Sequence, residues 1–174
     1  MNSLKKIELA IRDVPDFPKK GIMFKDISPV LADAELFAST IKLLAEQCEG
    51  KQIDFVTGIE ARGFIFGAAL ARELKCGFVP IRKPGKLPYK VYREEYALEY
   101  GRDSVEVHQD AFFSKANVYL VDDLLATGGT AQAAVRLIEK CDAKVELIGF
   151  MIELAFLKGR DKINNYPVKS LLTV

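Results

Sequence analysis

Short apolar runs alternate with longer amphipathic stretches along this chain. Leu4, Ile7, Ile11 and Val14 recur at helical spacing and predict an amphipathic first helix that "DFPKKG" stops. "IMFKDISPVL" reads as a short extended segment with a turn. Asp33 can N-cap a second helix whose apolar face is Phe37, Ile41, Leu44 and Cys48, with Gly50 just past its end. "IDFVTG" is a short apolar strand, "GIEARG" turns the chain into a third helix from Phe64 to about Leu74, and "GFVPIR" is the next strand. Residues 83–95, "KPGKLPYKVYREE", carry two prolines, many charges and no core periodicity, which predicts a long mobile loop. "YALEYGRDSVEVH" alternates on both sides of "GRD" as a hairpin would. Val118–Val121 is a strand, and Thr130 to about Lys140 a helix using Ala134, Leu137, Ile138 and Cys141. "KVELIGFMI" and "PVKSLLTV" are the closing strands.

Strands alternating with helices imply an α/β fold: a twisted, mostly parallel sheet with helices on both faces, joined by right-handed crossovers. The hairpin is the exception and is expected at the sheet's edge. The pattern predicts one domain over residues 1–174, with roughly residues 1–32 forming a small N-terminal cap over the strand ends.

Composition narrows the function. Lys and Arg total 25 against 24 Asp and Glu, a formal net charge of +1, which argues against a general nucleic-acid or anionic-membrane binder. The longest apolar runs, "FIFGAALA" and "LIGFMI", are far too short for a bilayer span, and "MNSLKKIELA" has no apolar secretory core. Cys48, Cys76 and Cys141 are scattered and odd in number, as expected of free thiols in the cytoplasm. His108 is the only histidine, so neither a histidine-ligated metal cluster nor a Ser-His-Asp triad is expected.

The chemistry gathers in "VYLVDDLLATGGT", Val118–Thr130. Ligands of open α/β sheets bind beyond the carboxyl ends of the strands. Gly128 and Gly129 let the backbone curl, so that N–H groups and a helix N-terminus face one point where a phosphate fits, with Thr127 and Thr130 as hydroxyl donors. No lysine follows the glycines, so this is not a Walker A loop. Asp122 and Asp123 cannot hold phosphate, but they can accept hydrogen bonds from the neighbouring hydroxyls of a ribose. Taken singly, one of them would be a helix cap and the other a solvated charge. Arg62 in "IEARGF" sits in a strand-to-helix turn, where a guanidinium and main-chain N–H groups suit a pyrophosphate. Arg82, Lys83 and Lys86 mark where a strand enters the proline-containing loop, and suit closure over a polyanion; alone they also read as a solvated face.

"DDLLATGGT", with "GIMFKDISPVL", "GIEARGFIFG", "VPIRKPGKLP" and "YALEYG" in the same order, resembles the type I phosphoribosyltransferases, and within them the members specific for adenine. The resemblance spans roughly Phe17 to Lys158. It implies the family fold, a homodimer, and transfer of the phosphoribosyl group of phosphoribosyl pyrophosphate (PRPP) to adenine, giving AMP and pyrophosphate. It implies Mg²⁺ as cofactor, carried by PRPP rather than by a dedicated protein cage. Carried over by motif, Asp122 and Asp123 meet the ribose hydroxyls, and Ala126, Thr127, Gly128, Gly129 and Thr130 the 5′-phosphate. Glu60, Ala61 and Arg62 hold pyrophosphate, with the Glu60–Ala61 peptide often cis, and Arg82, Lys83 and Lys86 reach the partner subunit's pyrophosphate. Glu99 lies near the base as a general acid or base, beside Tyr100 in the flexible loop; a cross-strand charged pair is the other reading of Glu99.

Base choice falls to "MFKD". In an extended chain Met23 C=O and Lys25 N–H face one way, an acceptor–donor pair matching adenine's 6-amino group and N1. By resemblance Phe24 and Leu124 sandwich the base, and Lys25 stands where many members carry arginine. A sibling acting on hypoxanthine, guanine or xanthine, and a non-enzymatic PRPP sensor, are the competing readings.

Overall fold

The computed structural model describes residues 2–97 and 101–174, and the chain falls into two compact units, residues 1–43 and 44–174. In the first, α1 (Ser3–Ala10) is capped by Asn2, whose side chain accepts the Lys5 N–H at 2.9 Å. The helix stops before Ile11 and Val14. Val14 lies in β1 (Arg12–Pro15), paired antiparallel with β2 (Met23–Asp26) and opposite Phe24. Its helical spacing is a coincidence, because the pairing depends on a strand further along the chain that local periodicity does not register. The expected turn after "MFKD" is α2 (Ser28–Ala32). Asp33 caps α3 (Ala34–Glu46) as its position predicts, accepting the N–H groups of Glu35 and Leu36 at 2.9 and 3.0 Å.

The second unit holds a five-stranded parallel sheet in the order β4-β3-β7-β8-β9. Its strands are β3 (Phe55–Ile59), β4 (Gly77–Ile81), β7 (Asn117–Leu125), β8 (Lys144–Glu153) and β9 (Val168–Thr173). Helix α4 (Arg62–Leu74) carries the chain from β3 outward to β4, and α5 (Gly129–Lys140) carries it from β7 the other way to β8. Right-handed crossovers in opposite directions put the two helices on opposite faces. That double cover explains why Val118, Tyr119, Leu120 and Val121 form an unbroken buried run on the central strand.

The hairpin of β5 (Val91–Ala97) and β6 (Arg102–His108) forms its own two-stranded sheet. It joins the end of β4 through one backbone pair: Arg82 N–H donates to Glu106 C=O at 2.9 Å and Glu106 N–H to Arg82 C=O at 2.8 Å. Strand β5 begins at Val91, inside the stretch the sequence assigns to a mobile loop. Tyr92, Glu94 and Tyr96 do alternate toward the interior. The inward Glu94 disguises the period, and it is answered by Lys140 and Arg136 from α5.

Tyr119 shows how tightly the sheet is packed. Its hydroxyl donates toward Leu44 C=O at 3.1 Å and Gln47 Oε1 at 3.0 Å. Its ring lies over Gly149 of β8, where an added Cβ would meet the phenol oxygen at 2.3 Å and a ring carbon at 2.7 Å. Gly149→Ala should therefore cost about 1–3 kcal/mol in urea unfolding with an unchanged m-value. A loss too small to resolve would contradict this packing.

Candidate active site

Neighbouring strands β3 and β7 send their crossovers in opposite directions, which opens a crevice beyond their carboxyl ends. Glu60, Ala61 and Arg62 follow β3 directly. The Glu60–Ala61 peptide is cis, and Arg62 is the first residue of α4. Two glycines draw that helix start onto β3 and β7. A Cβ on Gly58 would lie 2.3 Å from Gly63 C=O, and one on Gly63 would lie 2.8 Å from Asp122 Oδ1. Strand β7 runs through Leu125, so both aspartates sit within the strand's end rather than after it.

Asp123 is buried, with 6% of its surface exposed, and Arg62 Nε reaches its Oδ2 at 2.9 Å. Asp123 N–H donates to Asp122 Oδ1 at 2.9 Å. Burial, and then the neighbouring Asp123 charge, push the Asp122 carboxyl well above the ordinary aspartate range. Burial also raises Asp123, against the pull of the Arg62 guanidinium. Sequence spacing identified the pair; the structure adds that Arg62 and Asp123 are partners.

A pocket lined by Asp122, Leu124, Leu125 and residues 126–131, with Phe150 behind, opens at the start of α5. Its N-cap, Gly128, makes no side-chain cap hydrogen bond, so among the described residues the N–H groups of the first turn are available to a ligand. Gly128 is the N-cap at φ +78°, a conformation that favours glycine. The sequence assigns both glycines to close approach by a phosphate. The structure adds a second reason: an added Cβ on Gly128 would strike Gly159 C=O at 2.2 Å, and one on Gly129 would crowd Ala97 C=O at 3.2 Å.

Residues 82–86 are held by carboxylates. Glu60 takes Lys86 Nζ, Arg82 Nε at 3.3 Å and the Lys83 N–H at 3.0 Å. The Lys86 ammonium is the main reason its carboxyl is lowered to about 2, with the Lys83 N–H and Arg82 adding to it. Lys83 Nζ pairs with Asp103 and reaches Tyr96 Oη at 2.8 Å, and Gly85 N–H donates to Glu106 Oε2 at 3.0 Å. So Glu60, named with the pyrophosphate turn, spends its carboxylate on the loop. Arg62 and the main-chain N–H groups are the members of that turn with the right sign for an anion. Asp103 and Glu106 escaped the sequence reading. The signal for Glu106 was present: a carboxylate between valines in "SVEVH", now 6% exposed.

In the first unit, Ile22 C=O accepts the Phe17 N–H on the β1 side at 3.3 Å. Alternation along the extended chain then turns Met23 C=O and Lys25 N–H to the other edge of β2, which no strand among the described residues pairs. The Phe24 ring stands edge-on to Phe17 with centroids 5.1 Å apart, and Lys25 Nζ is held by Asp13 Oδ1 at 2.6 Å. Leu124, in the second unit, lines the α5 pocket. Glu99 and Tyr100 lie outside the described residues.

The family described as phosphoribosyl transferase domain matches residues 30–173. Adenine phosphoribosyltransferase of Thermoanaerobacter sp. (strain X514) is 53% identical over 170 residues, 98% of each chain. The crystal structure of adenine phosphoribosyltransferase from Thermoanaerobacter pseudethanolicus superposes with a TM-score of 0.96 at 52% identity, covering 98% of this chain and 99% of that one. The Saccharomyces cerevisiae enzyme, complexed with adenine and D-2,5-dideoxy-2,5-imino-altritol 1,6-bisphosphate, gives 0.93 at 42% identity, covering 97% and 98%.

The raised aspartates have a stability consequence. Both bind protons more tightly folded than unfolded, so the penalty of ionising them is full above their folded pKa and fades as pH falls toward the ordinary aspartate value. Asp122→Asn keeps the oxygen that accepts the Asp123 N–H and removes one of two adjacent charges. Its melting temperature at pH 7.5 should exceed the parent's, the gap closing near pH 4, while affinity for a ribose phosphate falls by about 10- to 100-fold. Thermal melts across pH with calorimetric titration check both; a lower melting temperature at pH 7.5 contradicts the assignment.

Proposed function

The chain belongs to the phosphoribosyl transferase family, and we propose that it works there as an adenine phosphoribosyltransferase, making AMP and pyrophosphate from adenine and PRPP. The observation that carries this reading is the end of β7. There a carboxylate pair, Asp123 buried and Asp122 half-buried, and a glycine-started helix whose N-cap makes no side-chain hydrogen bond stand a few residues apart in one crevice. Only a ligand with vicinal hydroxyls and an anionic group uses both.

In this reading the main-chain N–H groups of Ala126–Thr130 and the Thr127 and Thr130 hydroxyls take the 5′-phosphate, and Asp122 and Asp123 take the ribose hydroxyls. Nitrogen 9 of adenine attacks the anomeric carbon as the bond to the pyrophosphate oxygen breaks. The bonding pair leaves on pyrophosphate, and the ribose passes through an oxocarbenium-like state. Arg62 and the N–H groups at the start of α4 stabilise the charge gathering on the leaving group. Arg82, Lys83 and Lys86 close over it, from the partner subunit of a homodimer. Glu99 serves the base as a general acid or base.

Magnesium suits the same crevice. The aspartate pair offers only oxygens, the ligand type a hard cation takes, and among the described residues no three acidic, histidine or cysteine side chains gather into a metal cage. Diphosphate oxygens and water would complete the coordination, with Asp122 and Asp123 as the protein oxygens available. Bound there, Mg²⁺ would neutralise charge on the leaving pyrophosphate. A cytoplasmic setting belongs to this reading, supported by three cysteines without a disulfide.

Base choice rests on the free edge of β2. Adenine's 6-amino donor and N1 acceptor match Met23 C=O and Lys25 N–H, whereas hypoxanthine reverses both. Pyrophosphate release should be followed with adenine, hypoxanthine, guanine and xanthine separately. Adenine should lead hypoxanthine by about 10⁴-fold in kcat/KM. Lys25→Ala should keep that preference, because its side chain is engaged by Asp13 and only its N–H faces the base. Phe24→Ala should raise the KM for adenine. Comparable turnover of adenine and hypoxanthine, or lost discrimination in Lys25→Ala, would overturn the main-chain readout.

A further inference from the structure

Between β8 and β9 the chain makes two short 3-10 turns, Ala155–Leu157 and Gly159–Ile163, a stretch no sequence pattern singled out. Gly159 presses its backbone against the back of the phosphate turn. A Cβ there would lie 2.1 Å from Ala126 C=O and 2.9 Å from Gly128 N, and one on Gly128 would lie 2.2 Å from Gly159 C=O. Two main chains touch with no side chain between them. Where Gly159 sits therefore sets where the turn at Gly128 can sit.

The next residue, Arg160, is fastened from several sides. Its Nε donates to Glu153 Oε1 at 2.9 Å, its Nη2 pairs with Glu153 Oε2, and its Nη1 donates to Val168 C=O at 2.8 Å. Glu153 is 7% exposed and accepts the Ser170 hydroxyl at 2.7 Å. Leu154 N–H donates to Leu125 C=O at 2.9 Å, tying the end of β8 to the end of β7. From the other side Gln132 Nε2, on α5, donates to Lys162 C=O at 3.1 Å. A fork-shaped guanidinium can hold two carboxylate oxygens and a carbonyl at once, which a lysine cannot.

We propose that Arg160, clamped by Glu153, is a positioning residue for the 5′-phosphate turn: it fixes Gly159, and Gly159 fixes the Ala126–Gly128 main chain. The inference rests on the reading that a ribose 5′-phosphate binds at the start of α5. A cradle made of N–H groups works only when its backbone is held within about 0.5 Å of the productive geometry. Displacing it by about 1 Å from behind costs up to 10²-fold.

The test is calorimetric titration of the full-length protein with ribose 5-phosphate and, separately, with pyrophosphate. In the double variant Glu153→Gln, Arg160→Gln both charges leave together, so no unpaired charge stays buried. Ribose 5-phosphate affinity should fall about 10-fold or more, with pyrophosphate affinity within about 2-fold of the parent. Arg160→Lys, which keeps a cation on Glu153 but loses the fork, should fall between. If circular dichroism shows the double variant unfolded, Gln132→Ala decides, with a smaller loss confined to ribose 5-phosphate. Unchanged ribose 5-phosphate affinity in the folded variants, or equal loss of both ligands, overturns the inference alone. A parent that fails to bind ribose 5-phosphate overturns the functional reading and takes this inference with it.

Discussion

Two adjacent carboxylates have to be kept at the end of a central, buried strand, and much of the site follows from that requirement. Removing a carboxylate from water is costly unless a partner comes with it. Arg62 supplies the partner for Asp123 at 2.9 Å, and it can do so only because α4 begins at that residue. The helix can begin there only because Gly58 and Gly63 let main chain and carboxylate approach without a Cβ between them. The remaining strain is electrostatic, and it shows as two carboxyls raised by burial. Hydroxyls that donated to this pair, as proposed, would offset part of that desolvation.

The cationic loop shows the complementary arrangement. Glu60, Asp103 and Glu106 hold residues 82–86 by side chain and main chain. A polyanion that recruits Arg82 or Lys86 must compete with Glu60, whose carboxyl stays ionised down to about 2 because the Lys86 ammonium bonds it. In the proposed reading, closure over a polyanion would exchange one anion for another, because Glu60 already holds Arg82 and Lys86.

The parallel sheet was legible because its apolar runs are covered on both faces, and the second helix because Asp33 is a cap with its own geometry. The β7–α5 segment was legible for a stronger reason. "VDD" and "GGT" are close neighbours in the chain, so no long-range contact is needed to bring them to the end of β7 and the start of α5. What escaped depends on partners distant in sequence. β1 is a strand only through β2, and β5 hid its alternation by turning Glu94 inward toward cations of α5. The contact of Gly128 with Gly159, and the Arg160–Glu153 clamp behind it, join segments that carry no shared motif. Glu60 does lie in the turn between β3 and α4, but its bonds run to the 82–86 loop, which only the folded chain brings within reach.

The central claim is that one crevice reads a ribose phosphate from both ends, with carboxylates at the hydroxyls and a helix start at the phosphate. A crystal structure with ribose 5-phosphate bound tests it most directly. The phosphate should rest on the main-chain N–H groups of residues 126–130, with the 2′- and 3′-hydroxyls within hydrogen-bond distance of Asp122 and Asp123. A phosphate held instead by Arg82 and Lys86, with the aspartates bare, would contradict the claim.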